Sequence, residues 1–207
     1  MSLGGFDGFY FNPTTEIWDN KTWHDHIPLP KAMSGHCLVK INSTHVFLAG
    51  GKVKEAYRGY GEKFSESAYL YSKDSGFVKQ EDMMWSWGGM SCVLLQEGQV
   101  MVSSARRSSK KKETQMFDLS TLQWSAGPSL PTALFNPKLL SMDGKTFLLG
   151  GFDNSAKGGN KKIWQLNQLK LSTMNVWRWV EIGELADERS LFDIVPITAE
   201  YCASNDN

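Results

Sequence analysis

The feature that most restricts this chain is a recurring strand that ends in two small residues. Thr146-Phe147-Leu148-Leu149-Gly150-Gly151 is a short apolar run closed by a glycine pair, and His45-Val46-Phe47-Leu48-Ala49-Gly50-Gly51 repeats it about a hundred residues earlier. A worn copy, Gln99-Val100-Met101-Val102-Ser103-Ser104, lies between them, and Gly4-Gly5 stands near the start. The second small residue of each pair falls at 5, 51, 104 and 151, with spacings of 46, 53 and 47. A short apolar run reads as a buried strand, and a glycine pair halts it where the backbone must turn sharply. A period of this length signals a repeat architecture and takes precedence over any local motif.

Other landmarks keep the same phase. An aromatic follows each pair: Trp18, Phe117 and Trp164 thirteen residues on, and Tyr71 twenty residues on, behind a longer loop. After each comes a polar turn and another large residue, Trp23, Val78, Trp124 and Trp177. A Pro-bearing loop leads to a further apolar strand: Cys37–Ile41, Ser91–Leu95, Lys138–Leu140 and Leu191–Val195. Tight turns (Asn42-Ser43-Thr44, Glu97-Gly98, Asp143-Gly144) then return the chain to the next glycine-ended strand, a hairpin signal three times over. Each unit therefore holds four strands: A before the hairpin, B ending at the glycines, C with the aromatic, and D near the Trp. Four-stranded units repeated at this period pack radially into a β-propeller, because stacked blades bury what one meander cannot.

Phe117-Asp118-Leu119-Ser120-Thr121-Leu122-Gln123-Trp124, followed by Pro128 and Pro131, together with Gly50-Gly51 and Gly150-Gly151, closely resembles the kelch repeat. The resemblance covers nearly the whole chain. Departures are Ser103-Ser104 for the glycines, Val78 for a Trp, and Leu191-Phe192 for small residues before strand A. The resemblance implies an all-β, kelch-type propeller of about four repeats, in which Trp18, Trp23, Tyr71, Phe117, Trp124, Trp164 and Trp177 pack blade on blade. It also implies a protein-binding module that uses its loop-rich face. Some kelch-like propellers are copper oxidases, but no residue here matches their metal site.

The expected organisation is a single domain, 1–203: a partial blade at 1–30, blades at 35–82, 89–125 and 133–181, a strand within 190–203 that completes the partial blade, and a tail at 204–207. Three closures stay open: a four-bladed ring whose ends share a blade, a larger ring made from two or more chains, or a part of a longer propeller. The adaptor domains that often accompany kelch repeats find no room in the first 30 residues.

Composition narrows the function. There are 22 basic and 22 acidic residues, so nothing global points to nucleic acid. No apolar window reaches the length of a membrane span, and no basic-then-apolar leader precedes residue 30. Cys37, Cys92 and Cys202 are odd in number and far apart, which reads as buried free thiols in a reducing compartment, hence a cytoplasmic protein. His24 and His26 flank Asp25 without a third metal ligand nearby, and His36 reads as a packing residue. No nucleophile elbow or phosphate-cradling loop occurs, so neither catalysis nor a cofactor is expected.

The loops carry the stronger signal. The B–C loops are basic: Lys52, Lys54, Arg58 and Lys63; then Arg106, Arg107, Lys110, Lys111 and Lys112; then Lys157, Lys161 and Lys162. D–A loops on the same face are acidic (Glu81-Asp82; Glu181, Glu184, Asp187, Glu188), which predicts a basic centre inside an acidic rim. Such a patch attracts acidic or phosphorylated protein partners. Residues 106–112 also have the charge of a localisation signal. Trp85 and Trp87 break the repeat pattern and read either as interface anchors or as aromatics folded back onto the ring. The alternatives are a small propeller enzyme with a hydrolase, lyase or oxidase site near the axis, for which only His36 and Asp193 are well placed, and a structural protein that self-associates to complete its ring.

Overall fold

The computed structural model describes residues 1–54, 62–103, 112–171, 174–190 and 192–194. These residues form strands and turns, with no helix among them. Along the chain come β1 (Ser2–Leu3), β2 (Thr15–Trp18), β3 (Trp23–Asp25), β4 (Met33–Ser34), β5 (Cys37–Lys40), β6 (His45–Ala49), β7 (Lys52–Lys54), β8 (Glu62–Phe64), β9 (Ala68–Ser72) and β10 (Gly76–Lys79). Next are β11 (Cys92–Leu94), β12 (Gln99–Ser103), β13 (Thr114–Asp118), β14 (Gln123–Ala126), β15 (Leu134–Phe135), β16 (Lys138–Met142) and β17 (Lys145–Leu149). The last are β18 (Phe152–Asp153), β19 (Gly158–Gly159), β20 (Lys162–Leu171) and β21 (Met174–Glu184).

Six antiparallel sheets result. Four are meanders: β1-β2-β3, β5-β6-β9-β10, β11-β12-β13-β14 and β16-β17-β20-β21. The other two, β4-β7-β8 and β15-β18-β19, are short ribbons within the expected B–C loops, each pinned to the segment that enters strand A of its own unit. Those loops are therefore partly ordered hairpins. The first meander lacks a strand A, and the strand expected at 191–195 to supply it is not formed over its described residues, 192–194.

Local chemistry explains the turns. Asp19 and Asp118 sit at the same place in their C–D turns. Asp19 Oδ1 accepts the N–H groups of Lys21 and Thr22, both at 2.8 Å. Asp118 Oδ1 accepts those of Ser120 and Thr121, at 2.9 and 3.0 Å. Such turns are the reason Asp is favoured there. The Ser120 hydroxyl, with those N–H groups and the Gln99 amide, holds the Asp118 carboxyl well below the usual carboxylate range. Asp143 and Gly144 both have positive φ (50° and 72°), the requirement of a tight β-hairpin.

The glycine pairs couple one unit to the next. Both members have positive φ at 4–5, 50–51 and 150–151. The second N–H of each pair donates to the carbonyl of the chain entering the following unit: Gly5 to Met33 (2.9 Å), Gly51 to Trp87 (2.8 Å) and Gly151 to Arg189 (2.7 Å). A Cβ on the first glycine would collide with that same chain, 2.7 Å from the Met33 carbonyl, 2.8 Å from that of Trp87 and 2.6 Å from that of Arg189. Glycine is thus needed twice, for conformation and for close approach. Gly4-Gly5 behaves as a full member of the set.

Register corrects the sequence alignment at several points. Ser103 N–H donates to the Ser91 carbonyl, so Ser103 matches Ala49, and the worn pair moves one residue on, outside the described residues. The C–D partners are Trp18–Trp23, Tyr71–Phe77, Phe117–Trp124 and Leu166–Trp179. Phe77, not Val78, is therefore the large residue of the second unit. In the fourth unit Leu166 and Trp179 take the places expected of Trp164 and Trp177. Trp164 is still buried, two residues earlier, facing Leu148. The slip arose because loop lengths vary, so counting from the glycines does not count from the strand.

Three apolar cores lie between consecutive meanders. Leu3, Leu29 and Met33 meet Leu48 and Tyr69. Phe47, Ala49 and Trp87 meet Val100, Val102 and Phe117. Met101, Met116 and Leu95 meet Leu148, Trp164 and Leu166. One face of each meander, through Leu48, Val102 or Leu148, covers the unit before it, and the other, through Phe47 or Met101, covers the unit after it.

Candidate functional site

β11 lies between β5 and β16, so the A strands are neighbours. The expectation of free thiols is corrected for two of the three cysteines: Cys37 of β5 and Cys92 of β11 form a disulfide, with Cα atoms 5.6 Å apart, and Cys202 lies outside the described residues. The reason is architectural. Residues 55 apart in sequence become neighbours when equivalent strands of successive units line up. On the other side of β11, the Leu139 N–H donates to Ser91 Oγ at 2.9 Å and ties β16 to it. Beyond β16, Asp193 reaches the Lys138 ammonium at 2.6 Å.

These strands enclose a cavity of about 350 Å³, lined by His36, Ser91, Lys138, Asp193 and the disulfide. His36 and Asp193, the two residues that sequence placed near an axial site, both line it. Lys138 and Ser91 were missed. Their signal was available, since Cys37, Ser91 and Lys138 open equivalent A strands, but three different residue types at one repeat position do not announce a cluster. Burial lowers the His36 pKa to about 4, so the ring is neutral at neutral pH. Its Nδ1 is buried without a hydrogen-bond partner among the described residues. Lys138 is mostly covered, whereas the Asp193 side chain is 89% exposed, so this ion pair contributes little net stability and its carboxylate can be exchanged for another anion. The Ser91 hydroxyl is occupied by Leu139 and its N–H by Ser103 Oγ, which is a structural arrangement rather than that of an activated nucleophile.

The predicted basic loops divide into several kinds. Arg58, Arg106, Arg107, Lys110 and Lys111 lie outside the described residues. Lys52 and Lys54 fall on β7 and Lys63 on β8; the Lys52 stem runs against Gly88, and Lys63 is exposed. Lys112 donates to the Pro131 carbonyl at 2.8 Å, and Lys157 is exposed in a turn at φ 58°. Lys161 and Lys162 are paired with Glu184 and Glu181, at 2.6 and 2.7 Å, beside a second cavity of about 500 Å³. Each glutamate raises the pKa of its lysine. In the fourth unit, therefore, the basic loop and the acidic strand neutralise each other instead of forming a centre and a rim.

Trp87 is 5% exposed, sits in the core between the second and third meanders, and lends its carbonyl to Gly51. Trp85 is half-buried, stacked on Trp87 at 5.9 Å, and its backbone exchanges hydrogen bonds with the Gln115 amide. Both aromatics fold back onto the units. His24 and His26 go to separate partners, Asp19 and the Tyr71 hydroxyl.

No family model matches the chain, and no curated protein does. Among solved structures, one titled "Structure of YjhT" superposes with a TM-score of 0.69 at 15% identity, over 91% of this chain and 66% of that one. This chain thus spans just under two thirds of that neighbour's length. At this identity the likeness concerns the fold alone: a succession of antiparallel meanders without helices.

Proposed function

We propose that the chain is a kelch-type β-propeller, or part of one, that works as a protein-binding module. The four meanders in phase, the glycine coupling and the facing pairs of cores support the propeller reading. Its partner is an acidic or phosphorylated segment received where the B–C loops and the cavity between the A strands come together. The observation that carries this is Lys138, a mostly covered cation whose single described carboxylate, Asp193, is almost fully exposed. An incoming carboxylate or phosphate competes for that ammonium on favourable terms. Lys63 and Lys157, both exposed, add longer-range attraction.

The cytoplasmic expectation depended on free thiols. A Cys37–Cys92 bond persists in oxidising compartments, and this favours a location of that kind. The enzymatic alternative is favoured by one observation, a neutral His36 in the same cavity as Asp193, but the engaged Ser91 hydroxyl supplies no nucleophile. Binding without catalysis is the better reading.

The test is fluorescence anisotropy with an Asp/Glu-rich peptide, its phosphoserine counterpart and a Ser/Gln control. Acidic peptides should bind and weaken with added salt. Lys138→Gln should lower affinity about tenfold, roughly one charge-assisted contact, and Asp193→Asn should raise it several-fold by removing the competitor. Equal binding of the control peptide, or no response to Lys138→Gln, would sink the proposal.

A further inference from the structure

The repeat makes its own standard for what each face must touch. Tyr71 with Phe77, Phe117 with Trp124, and Leu166 with Trp179 face the preceding meander, and each pair packs there. Trp18 and Trp23 hold the same register in the first meander and stack on each other at 5.7 Å, yet they are 45% and 51% exposed. At the other end, Phe47 and Met101 face the following meander and are fully buried, whereas Phe147 at the equivalent place in β17 is only half-buried. Gln165 stands there in place of Leu70 and Met116, its amide satisfied by Asn167 at 2.7 Å.

We propose that a second copy of this chain covers these faces, its fourth meander seated on Trp18 and Trp23 and its own Trp18 and Trp23 seated on the Phe147 face. The argument is one of fit. Three times within the chain, the surface that covers a Trp18-type face is the Phe47-type face of another meander, and a second copy carries that surface at its other end. The contact is head-to-tail, and two such contacts between two copies close a ring instead of growing a filament. Eight meanders in a ring is at the upper end of what propellers use. This inference rests on packing between meanders and is independent of the ligand assigned to the cavity.

Light scattering across a hundredfold range of concentration tests it. The expected mass is twice the 23.3 kDa of one chain. Trp18→Glu and Phe147→Glu should each give folded monomers, as judged by a cooperative melt, with Trp23→Glu as a second variant on the first face. Mixing Trp18→Glu with Phe147→Glu should restore a dimer, because one of its two contacts is then wild type on both sides. A wild-type monomer throughout, a mass that climbs without limit, dimers that survive both substitutions, or folded variants that fail to pair when mixed would overturn the proposal.

Discussion

The third and first meanders present an aromatic pair at the same register to opposite surroundings. Phe117 is fully buried, 5.1 Å from both Phe47 and Trp124. Trp18 occupies the matching position beside Trp23 and stays nearly half exposed. Strands B, C and D, the Asp-headed turns and the aromatic pairs agree between the two; what differs is strand A, which the first lacks, and whether a described meander packs on the aromatic face. An aromatic at a repeat position is therefore a mark of an interface, and becomes core only when the neighbouring unit is in place.

The largest test of this contrast is truncation at the matched pair. Phe117→Ala should cost about 3–5 kcal/mol, the usual penalty for a large buried aromatic. Trp18→Ala should cost about 1 kcal/mol or less in a monomeric background, since much of the ring is already in water. Denaturant melts of the two variants measure both. Equal costs would mean that the first meander is packed as tightly as the third.

The next concerns the covalent tie, which joins the second and third meanders. Replacing both Cys37 and Cys92 by Ser should cost about 2–4 kcal/mol, because the bond constrains a loop of 55 residues in the unfolded chain. Reduced wild type should melt like the double variant. A wild type indifferent to reductant would show that the thiols are free.

The smallest is a pH effect at His36. Its folded pKa of about 4 lies below the unfolded 6.5, so the unfolded state takes up the proton first. Stability is then unaffected above pH 7 and falls as pH drops from 6.5 towards 4, by roughly 2–3 kcal/mol. His36→Phe should remove that slope. Parallel slopes for wild type and variant between pH 7.5 and 4.5 would show that the ring is already solvated.

Much of the meander pattern was legible because it is local. Strand A of each full unit, the Asp19 and Asp118 turns, and the strand ends at Gly51 and Gly151 follow from apolar runs, turn chemistry and backbone conformation within a few residues. The errors were of register. Trp177 was preferred over Trp179, and Val78 over Phe77, because a variable loop hides which residue faces which. The candidate site was less legible. Lys138 and Ser91 come from strands some 47 residues apart and carry no motif, and Lys161 and Lys162 looked free because their glutamates lie across a ribbon.

By itself the sequence determined the repeat, its all-β strands and the glycine positions, since each depends on φ, on alternation and on short apolar runs. Only the tertiary structure decided which surfaces those strands share: that Cys37 meets Cys92, that Trp87 is core, that Lys138 faces Asp193, and that Trp18 and Trp23 remain open. The physical reason is that burial is a property of pairs of units, and the period of a repeat specifies each unit without specifying what stands beside the first and the last.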